Sequence, residues 1–240
     1  MDFFMSPVPE RRPSRAPRPA PKAAKPADGQ SAPKRNGSAA RAPAGRKAQR
    51  RHQILGAALV VFSEQGFAAA RLDDIAARAG VAKGTLYLYF ESKETLFEEL
   101  LREAAMPIYG RLARIAADPR ISGREAIKRL LDAFRREIVE TDARHLVRLL
   151  LCEGARFPTL TSFYYREILS RAVPLLRQIL ERAHQRGEIR SAKLLEAPQL
   201  VMAPAIAALM WNDMFGRFET LDIEALFNTH VDLLTTGEDR

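Results

Sequence analysis

From Lys47 onward, the apolar residues of this 240-residue chain recur every three or four positions, which is the period of one helix face. We expect Gly66 to end the first helix, because glycine readily takes the left-handed conformation found after helix C-termini. Two short helices are predicted next, over residues 72–79 and 82–89, with Gly80 in the turn between them. The apolar stripe of the first helix consists of Ile54, Ala57, Ala58, Val61 and Phe62.

The pattern beyond residue 91 predicts a long helix. Ser92 can cap its first turn with a side-chain oxygen. Pro107 should kink or break this helix, and Pro119 should end the segment, because proline lacks the N–H that a helix interior needs. The apolar face of the helix carries Leu96, Phe97, Leu100 and Leu101.

All strong patterns in the second half of the chain are helical as well. A long helix is expected over residues 163–185, disturbed at Pro174 and stopped by Gly187, and the last two helices cover residues 200–215 and 223–234. No convincing alternation of apolar and polar residues predicts a strand, so the expected fold class is all-α. Two shorter stripes come earlier: Ala126, Leu130, Ala133, Phe134 and Ile138 in one, Leu146, Leu149, Leu150 and Cys152 in the other.

Residues 1–45 have a different composition. They hold nine of the 15 prolines, and we expect a disordered tail, because such a segment buries too little surface to fold. Residues 1–50 carry twelve Lys and Arg side chains and three acids, which accounts for the whole net charge of +9. The tail can add sequence-independent DNA affinity; the alternatives are a solvated tail without a specific role and a misplaced start codon. Docking on an anionic membrane is less favoured, since the tail lacks an amphipathic pattern.

The composition gives little support to a metalloprotein, a membrane protein or an enzyme. Cys152 is the single cysteine, which excludes an intrachain disulfide, and its apolar helix favours an inert core residue in a reducing cytosol. The four histidines lack the spacing of metal ligands, and no apolar run reaches the roughly 18 residues of a membrane span. A secretory signal, a glycine-rich phosphate loop and a nucleophile elbow are not recognisable. We therefore expect no catalytic residues, no metal and no cofactor.

Residues 72–90 carry the pattern that points to a function. Two short helices joined by a glycine turn form a helix-turn-helix, whose second helix enters the DNA major groove. Phosphate contacts from Lys, Thr and Tyr would position this helix, and contacts to base edges would specify the sequence. As alternatives, the tyrosines are half-buried aromatics and the leucine packs against its neighbours. The outward-facing candidates are Lys83, Gly84, Thr85, Tyr87, Leu88 and Tyr89.

The same stretch resembles the N-terminal signature of the TetR/AcrR family of bacterial repressors. The resemblance implies a DNA-binding domain over residues 46–92 and a helical effector-binding and dimerisation domain over residues 93–240. It also implies a phosphate contact from Lys93. Family members often have a Ser or Thr that caps the helix close to the position of Arg71. In this chain Arg71 can reach a phosphate instead of capping the helix. The matching segments are 57–62, 66–67, 74–76, 79–81, 83–87, 89–90 and 92–94.

A second, softer match concerns residues 149–158 and 163–165, which look like C-terminal regions of some family members. An effector pocket between helices is mostly apolar with a few polar groups, and core packing is the alternative for each aromatic residue considered for it. The ligand-binding candidates are Arg148, Glu153, Phe157, Tyr164, Tyr165 and Trp211, with Asn212 as a further polar candidate.

The resemblance implies that two copies dimerise through the last two helices. Small side chains there permit a close four-helix interface, and an intramolecular bundle is the alternative. The stripe concerned consists of Pro204, Ala205, Ala208 and Leu209.

Together these patterns predict a ligand-responsive transcriptional repressor. A homodimer would bind double-stranded DNA at a near-palindromic operator, with recognition helices about 34–36 Å apart. An unknown small-molecule effector would favour a tilt of the long helix after Ser92, with a coupling of about 1–3 kcal/mol. The expected location is the cytoplasm, associated with the nucleoid and without a membrane partner. The alternative is a helical small-molecule-binding protein or enzyme with a vestigial helix-turn-helix.

Overall fold

The computed structural model of the chain describes residues 43–237. Within this range the chain forms ten α-helices and an isolated antiparallel bridge between Ile189 and Thr235, so the predicted all-α fold is confirmed. The predicted disordered tail lies outside the described residues except for positions 43–45, which already belong to the first helix. The helices are α1 (Pro43–Ala69), α2 (Leu72–Arg78), α3 (Lys83–Tyr87), α4 (Lys93–Ala117), α5 (Gly123–Phe134), α6 (Ala143–Glu153), α7 (Pro158–Tyr164), α8 (Ser170–Gln185), α9 (Ala203–Phe215) and α10 (Ile223–Leu234).

Helices α1, α2 and α3 form the head of the molecule. Gly66 interrupts the helical path of α1 with a φ of 77° and a ψ of 167°, as predicted, because a positive φ favours glycine. The interruption turns Phe67 inward, where its ring centroid lies 5.6 Å from that of Phe62 and 5.2 Å from that of Phe97 on α4. The head is therefore closed at its base by an aromatic cluster that α4 shares.

Helix α4 connects the head to the body of the molecule, which we define as α4–α10. Ser92 and Thr95 form a capping box, in which each side chain accepts the other residue's backbone N–H. Of the predicted kink or break at Pro107, the break is wrong, because α4 continues through this residue; the kink stays a prediction. Leu101 before the proline and Leu112 after it are buried, and packing of this kind offsets the roughly 3 kcal/mol that an interior proline costs.

The body packs around a second core formed by α5, α8, α9, α10 and the C-terminal half of α4. The disturbance predicted at Pro174 lies just ahead of it, as a π-helical segment over Tyr165–Leu169, and Gly187 follows α8 with a φ of 71°. The stripe predicted for α5 and the π-helical turn after it, Arg135–Val139, is buried throughout: Ala126, Leu130, Ala133, Phe134 and Ile138.

Cys152 is exposed on α6, so its prediction as a core residue is wrong. The inward face of α6 runs through Leu146 and Leu149, which are buried, towards Glu153. Cys152 falls outside this stripe, because it follows Leu146 by six positions and so lies about 120° around the helix from it.

Candidate nucleic-acid interface and ligand cavity

Helix α3 is held against the head by its apolar face. Leu86 is fully buried, and Phe90 just after the helix is also buried. Gly80 makes the turn before α3 with a φ of 62°, a conformation that glycine adopts without strain. The helix spans Lys83–Tyr87 and is shorter than the predicted 82–89, and Ala82 provides no side-chain cap. The short helix thus presents its other faces to solvent.

The predicted DNA-contacting residues share this outward surface. Lys83, Gly84, Tyr87 and Leu88 are exposed, and Leu88 exposes 81% of its surface. Thr85 and Tyr89 are half-buried. The structure therefore brings all six candidates together on one accessible strip.

Lys83 supplies the positive charge of this strip. Its Nζ atom lies 2.8 Å from Asp73 Oδ1 at the start of α2, and this hydrogen bond raises the pKa of Lys83. The side chain is therefore charged near neutral pH, and it can exchange an exposed carboxylate for a phosphate at little cost. Arg71 precedes α2 and is also exposed, but the structure leaves its phosphate contact as a prediction.

Lys93 has a different environment from the one its predicted phosphate contact requires. Its ammonium group donates to the carbonyl oxygens of Phe67 and Ala68 at 2.9 Å each and of Ala70 at 3.3 Å. These bonds use all three donors of the group. Its Nζ atom also lies 4.9 Å from the centroid of the Phe67 ring. Lys93 thus holds the C-terminal end of α1 and the residue after it, and a phosphate contact would require these bonds to break.

Glu153 holds the same stretch from the opposite side. Its carboxylate accepts the backbone N–H groups of Phe67 and Ala68 at 3.3 Å each, and a Cβ atom on Gly66 would come within 2.9 Å of Glu153 Oε1. The ring of Phe157 lies 4.8 Å from that of Phe67. We call residues 66–70 the joint. The prediction that Glu153 and Phe157 bind the effector is not supported, because both contact the joint instead.

An apolar cavity of about 350 Å³ lies inside the body. Its polar lining residues are Tyr109, Tyr164 and Gln199, and the lining contains no Asp, Glu, Lys, Arg or His. Burial raises the pKa of Tyr164, so its phenol is neutral. The apolar lining comes from α4 (Leu101, Ala104, Ala105, Ile108, Leu112), α5 and the turn after it (Leu130, Phe134, Ile138), α6 (Val147, Leu150, Leu151), the π-helical segment and α8 (Ile168, Leu169, Ala172, Val173, Leu176) and the region of α9 (Met202, Ala203, Ile206).

Of the six predicted ligand-binding residues, Tyr164 lines this cavity. Tyr165 is exposed, and Trp211 is partly exposed and donates its Nε1–H to the carbonyl of Glu219 at 3.1 Å. Arg148 turns towards α9, where its Nε atom lies 3.6 Å from Asp213 Oδ2, a distance too long for a hydrogen bond. These three residues lie outside the lining of the cavity, and their contact with an effector stays a prediction.

Most residues that line the cavity cannot be recognised from the sequence, because they follow the same spacing as ordinary core residues. One usable signal is a small residue inside a stripe of large ones. Ala105 on α4 and Ala172 on α8 both occupy such positions and both line the cavity. Small side chains on facing helices leave space that larger ones would fill.

The end of the chain carries an exposed apolar surface, which we call the α9 face. It includes Trp211 and Phe215, whose ring centroids lie 5.1 Å apart, together with Met214, Phe218 and Leu233. The predicted interface stripe of Pro204, Ala205, Ala208 and Leu209 is instead buried in the second core. That prediction is wrong for these four residues, since they face the bundle interior.

Two absences concern the described part of the chain. No group of three or more His, Cys, Asp or Glu side chains in residues 43–237 could hold a metal ion. Across the same residues, every helix is too short or too polar to cross a membrane.

Comparison with known proteins adds sequence matches in two regions. Residues 54–100 match the bacterial regulatory proteins of the tetR family, and residues 122–233 match a tetracyclin repressor-like C-terminal domain. The repressor KstR2 of Rhodococcus jostii (strain RHA1) is 38% identical over 71 residues, 30% of this chain and 35% of KstR2. The match therefore spans about a third of KstR2. The regulator AcrR of Shigella flexneri is 25% identical over 191 residues, 77% of this chain and 86% of AcrR.

Solved structures share the fold at lower sequence identity. SmeT in complex with triclosan has a TM-score of 0.66 at 21% identity, covering 78% of this chain and 92% of SmeT. FadR of Bacillus subtilis in complex with stearoyl-CoA has a TM-score of 0.62 at 23% identity, covering 78% and 99%. Both bound molecules belong to those proteins, and the likeness to this chain is one of fold.

Proposed function

The chain belongs to the tetR family of bacterial regulatory proteins, and on that premise we propose that it is a transcriptional repressor released from its operator by a small molecule. The observation that carries this proposal is the accessible strip on α3. It combines a cation, a hydroxyl, two phenols and an exposed leucine at the end of a helix-turn-helix, which suits phosphate contacts and apolar contact with a thymine methyl group.

We propose that two copies pair through the α9 face. A single helix-turn-helix contacts few base pairs, and family architecture places two of them in successive major grooves. Trp211, Phe215 and Phe218 give the α9 face the aromatic content typical of protein interfaces. The operator would then be a near-palindrome. Residues 46–92 would form the DNA-binding domain and residues 93–240 the effector and dimerisation domain.

We propose that the effector is an uncharged, mostly apolar molecule that enters the cavity of the body. Burying a charge without a partner is costly, and the cavity lining offers no ionic partner. Tyr109, Tyr164 and Gln199 can each bond one polar group of a ligand. A volume of about 350 Å³ lies at the small end of ligand sites in proteins.

The effector signal would reach the head through α6 as well as α4. Leu150 and Leu151 line the cavity, and Glu153 on the same helix holds the joint through Phe67 and Ala68. A ligand that shifts α6 would therefore loosen the joint and alter the spacing of the two heads. Such a link needs a coupling free energy of about 1–3 kcal/mol.

A non-catalytic role in the cytoplasm, associated with the nucleoid, follows from this proposal. The second candidate is a helical enzyme or carrier with a vestigial helix-turn-helix, which would bind DNA without sequence preference or not at all.

The test is to retain genomic fragments on the purified full-length chain, sequence them and measure affinity for the recovered sites. We expect one near-palindromic site, with affinity at least about 1,000-fold above that for unrelated DNA. Compounds are then screened for release. Retention without any sequence preference would contradict the proposal and favour the second candidate.

A further inference from the structure

A basic groove lies beside α3, between the N-terminal turns of α1 and Tyr89. Its volume is about 640 Å³. Apart from Tyr89, its lining lies outside the strip on α3. The groove is lined by Arg46, Lys47, Gln49, Arg50, Gln53 and Tyr89.

The cations of the groove lie on the same face of α1 as a stripe of apolar residues. Arg46 and Arg50 are one turn apart, and Ala57 and Val61 lie further along the same helix face, since residues separated by three, four or seven positions share a face. Ala57 and Val61 are buried in the head, whereas Arg46 and Arg50 are exposed. The inward face of α1 therefore changes from apolar to cationic where the helix passes the end of the head.

Hydrogen bonds fix the groove to the helix-turn-helix. Gln53 donates its Nε2–H to the carbonyl of Ala79 at 2.7 Å, directly before the turn that leads to α3. Arg50 in turn donates an Nη1–H to Gln53 Oε1 at 3.0 Å. These bonds position Arg50 relative to the recognition helix. An arginine has five N–H donors, so Arg50 keeps further donors besides the one that bonds Gln53.

The positive charge of the groove is not matched by acids in its lining. The sequence contains no Asp or Glu from residue 29 to residue 63. Arg51, the next residue on α1, shows the contrast: its guanidinium pairs with Glu99 and Glu103 of α4. The cations that face the groove and the cation that faces α4 therefore have different partners, although they are neighbours in sequence.

We propose that this groove seats the sugar-phosphate backbone of the operator beside the base pairs that α3 contacts. This inference rests on the proposed function and extends the DNA surface from α3 to α1. Arg46, Lys47 and Arg50 would contact phosphate oxygens, with arginine able to form two parallel bonds. Tyr89, with its hydroxyl, would complete the groove on the α3 side. Phosphate contacts add affinity and fix orientation but carry no sequence information.

The test uses the full-length chain with Arg46→Gln, Lys47→Gln and Arg50→Gln combined, bound to an operator fragment recovered from the genomic selection. Glutamine removes the charge and keeps the high helix propensity of Arg and Lys. Each lost phosphate contact reduces the slope of log affinity against log salt by about 0.9. With two copies bound, we expect a slope smaller by at least about two and affinity at least about tenfold lower at low salt.

The matched control replaces three exposed cations of the body, Lys128→Gln, Arg177→Gln and Lys193→Gln, and should keep the wild-type slope. A wild-type slope in the groove variant, or a changed base preference, would overturn the inference while leaving the proposed function intact. Failure of the wild-type chain to select any site would instead overturn the proposed function. If the triple variant loses helical circular dichroism, Arg46→Gln alone decides, with an expected slope change of about one to two.

Discussion

The recognition strip comes from six residues within one short segment, 83–89, whereas the cavity draws its lining from α4, α5, α6, α8 and the region of α9. The strip is accessible and complete within one segment. The cavity is apolar and forms only once distant parts of the chain have packed. Substitutions in the strip should therefore change DNA binding directly. Substitutions in the cavity should change DNA binding indirectly, through the packing between the cavity and the strip.

The joint, residues 66–70, links the head to helices α4 and α6. Lys93, the first residue of α4, holds its carbonyl groups, and Glu153, the last residue of α6, holds two of its N–H groups. Both helices also line the cavity. The backbone of the joint is therefore hydrogen-bonded to both of the helices that a bound ligand would move.

The largest effect should come from separating the two copies, because each head depends on the other for affinity. Phe218→Asp adds a charge to the α9 face, where Phe218 exposes 73% of its surface. Losing the paired arrangement should reduce operator affinity by at least about 100-fold. Analytical ultracentrifugation should show a monomer. Met106→Asp, at an exposed position of α4, is the control and should remain a dimer; a dimeric Phe218→Asp variant would place the interface elsewhere.

The second effect is on the strip itself. Lys83→Ala and Tyr87→Ala should each weaken operator binding by about tenfold or more, since each removes a contact of about 1–3 kcal/mol. The melting temperature should change little, because both side chains are exposed. Gel-shift titration measures the affinity, and thermal denaturation measures the stability. Normal affinity in both variants would show that α3 is not the recognition helix.

The contrast between strip and cavity also explains what the sequence could predict. Lys83, Tyr87 and their neighbours were predicted as one surface, because a contiguous motif keeps its geometry once Leu86 and Phe90 anchor it. Helix positions followed from apolar spacing, which local propensity and burial reinforce. The strip therefore needed little knowledge of the rest of the chain.

The cavity could not be predicted in this way. Ala172 lines it because other helices approach without filling the space, and spacing along α8 does not encode that approach. Glu153 and Phe157 are predicted as ligand contacts from a charge that lies near aromatic residues. Their partner in the structure, Phe67, lies more than 80 positions earlier in the chain. Pairings at such separation depend on tertiary packing alone.

The third effect should be on ligand response. In the wild-type chain, 1-decanol should weaken operator binding, and decanoate should be at least about tenfold less effective, because its carboxylate would be buried without an ionic partner. Ala172→Trp should abolish the response to 1-decanol by filling the cavity, at a stability cost of about 1–3 kcal/mol. Titration calorimetry measures binding.

The control for the cavity variant is Ala192→Trp, at an exposed position outside the cavity, which should respond as the wild type does. An equal response to decanoate and 1-decanol would contradict the uncharged-ligand proposal. A full response in Ala172→Trp would instead place the effector site outside the cavity.

The smallest effect should be on the coupling between the two regions. Glu153→Ala removes the acceptor for the N–H groups of Phe67 and Ala68 without touching the cavity, so 1-decanol should bind with unchanged affinity. The ratio of operator affinities without and with 1-decanol should fall about threefold or more, within the range of typical allosteric couplings. Glu153→Gln keeps one acceptor oxygen and should give an intermediate ratio. Glu181→Ala, an exposed glutamate on α8, should keep the wild-type ratio; if Glu153→Ala keeps it too, the signal passes through α4 alone.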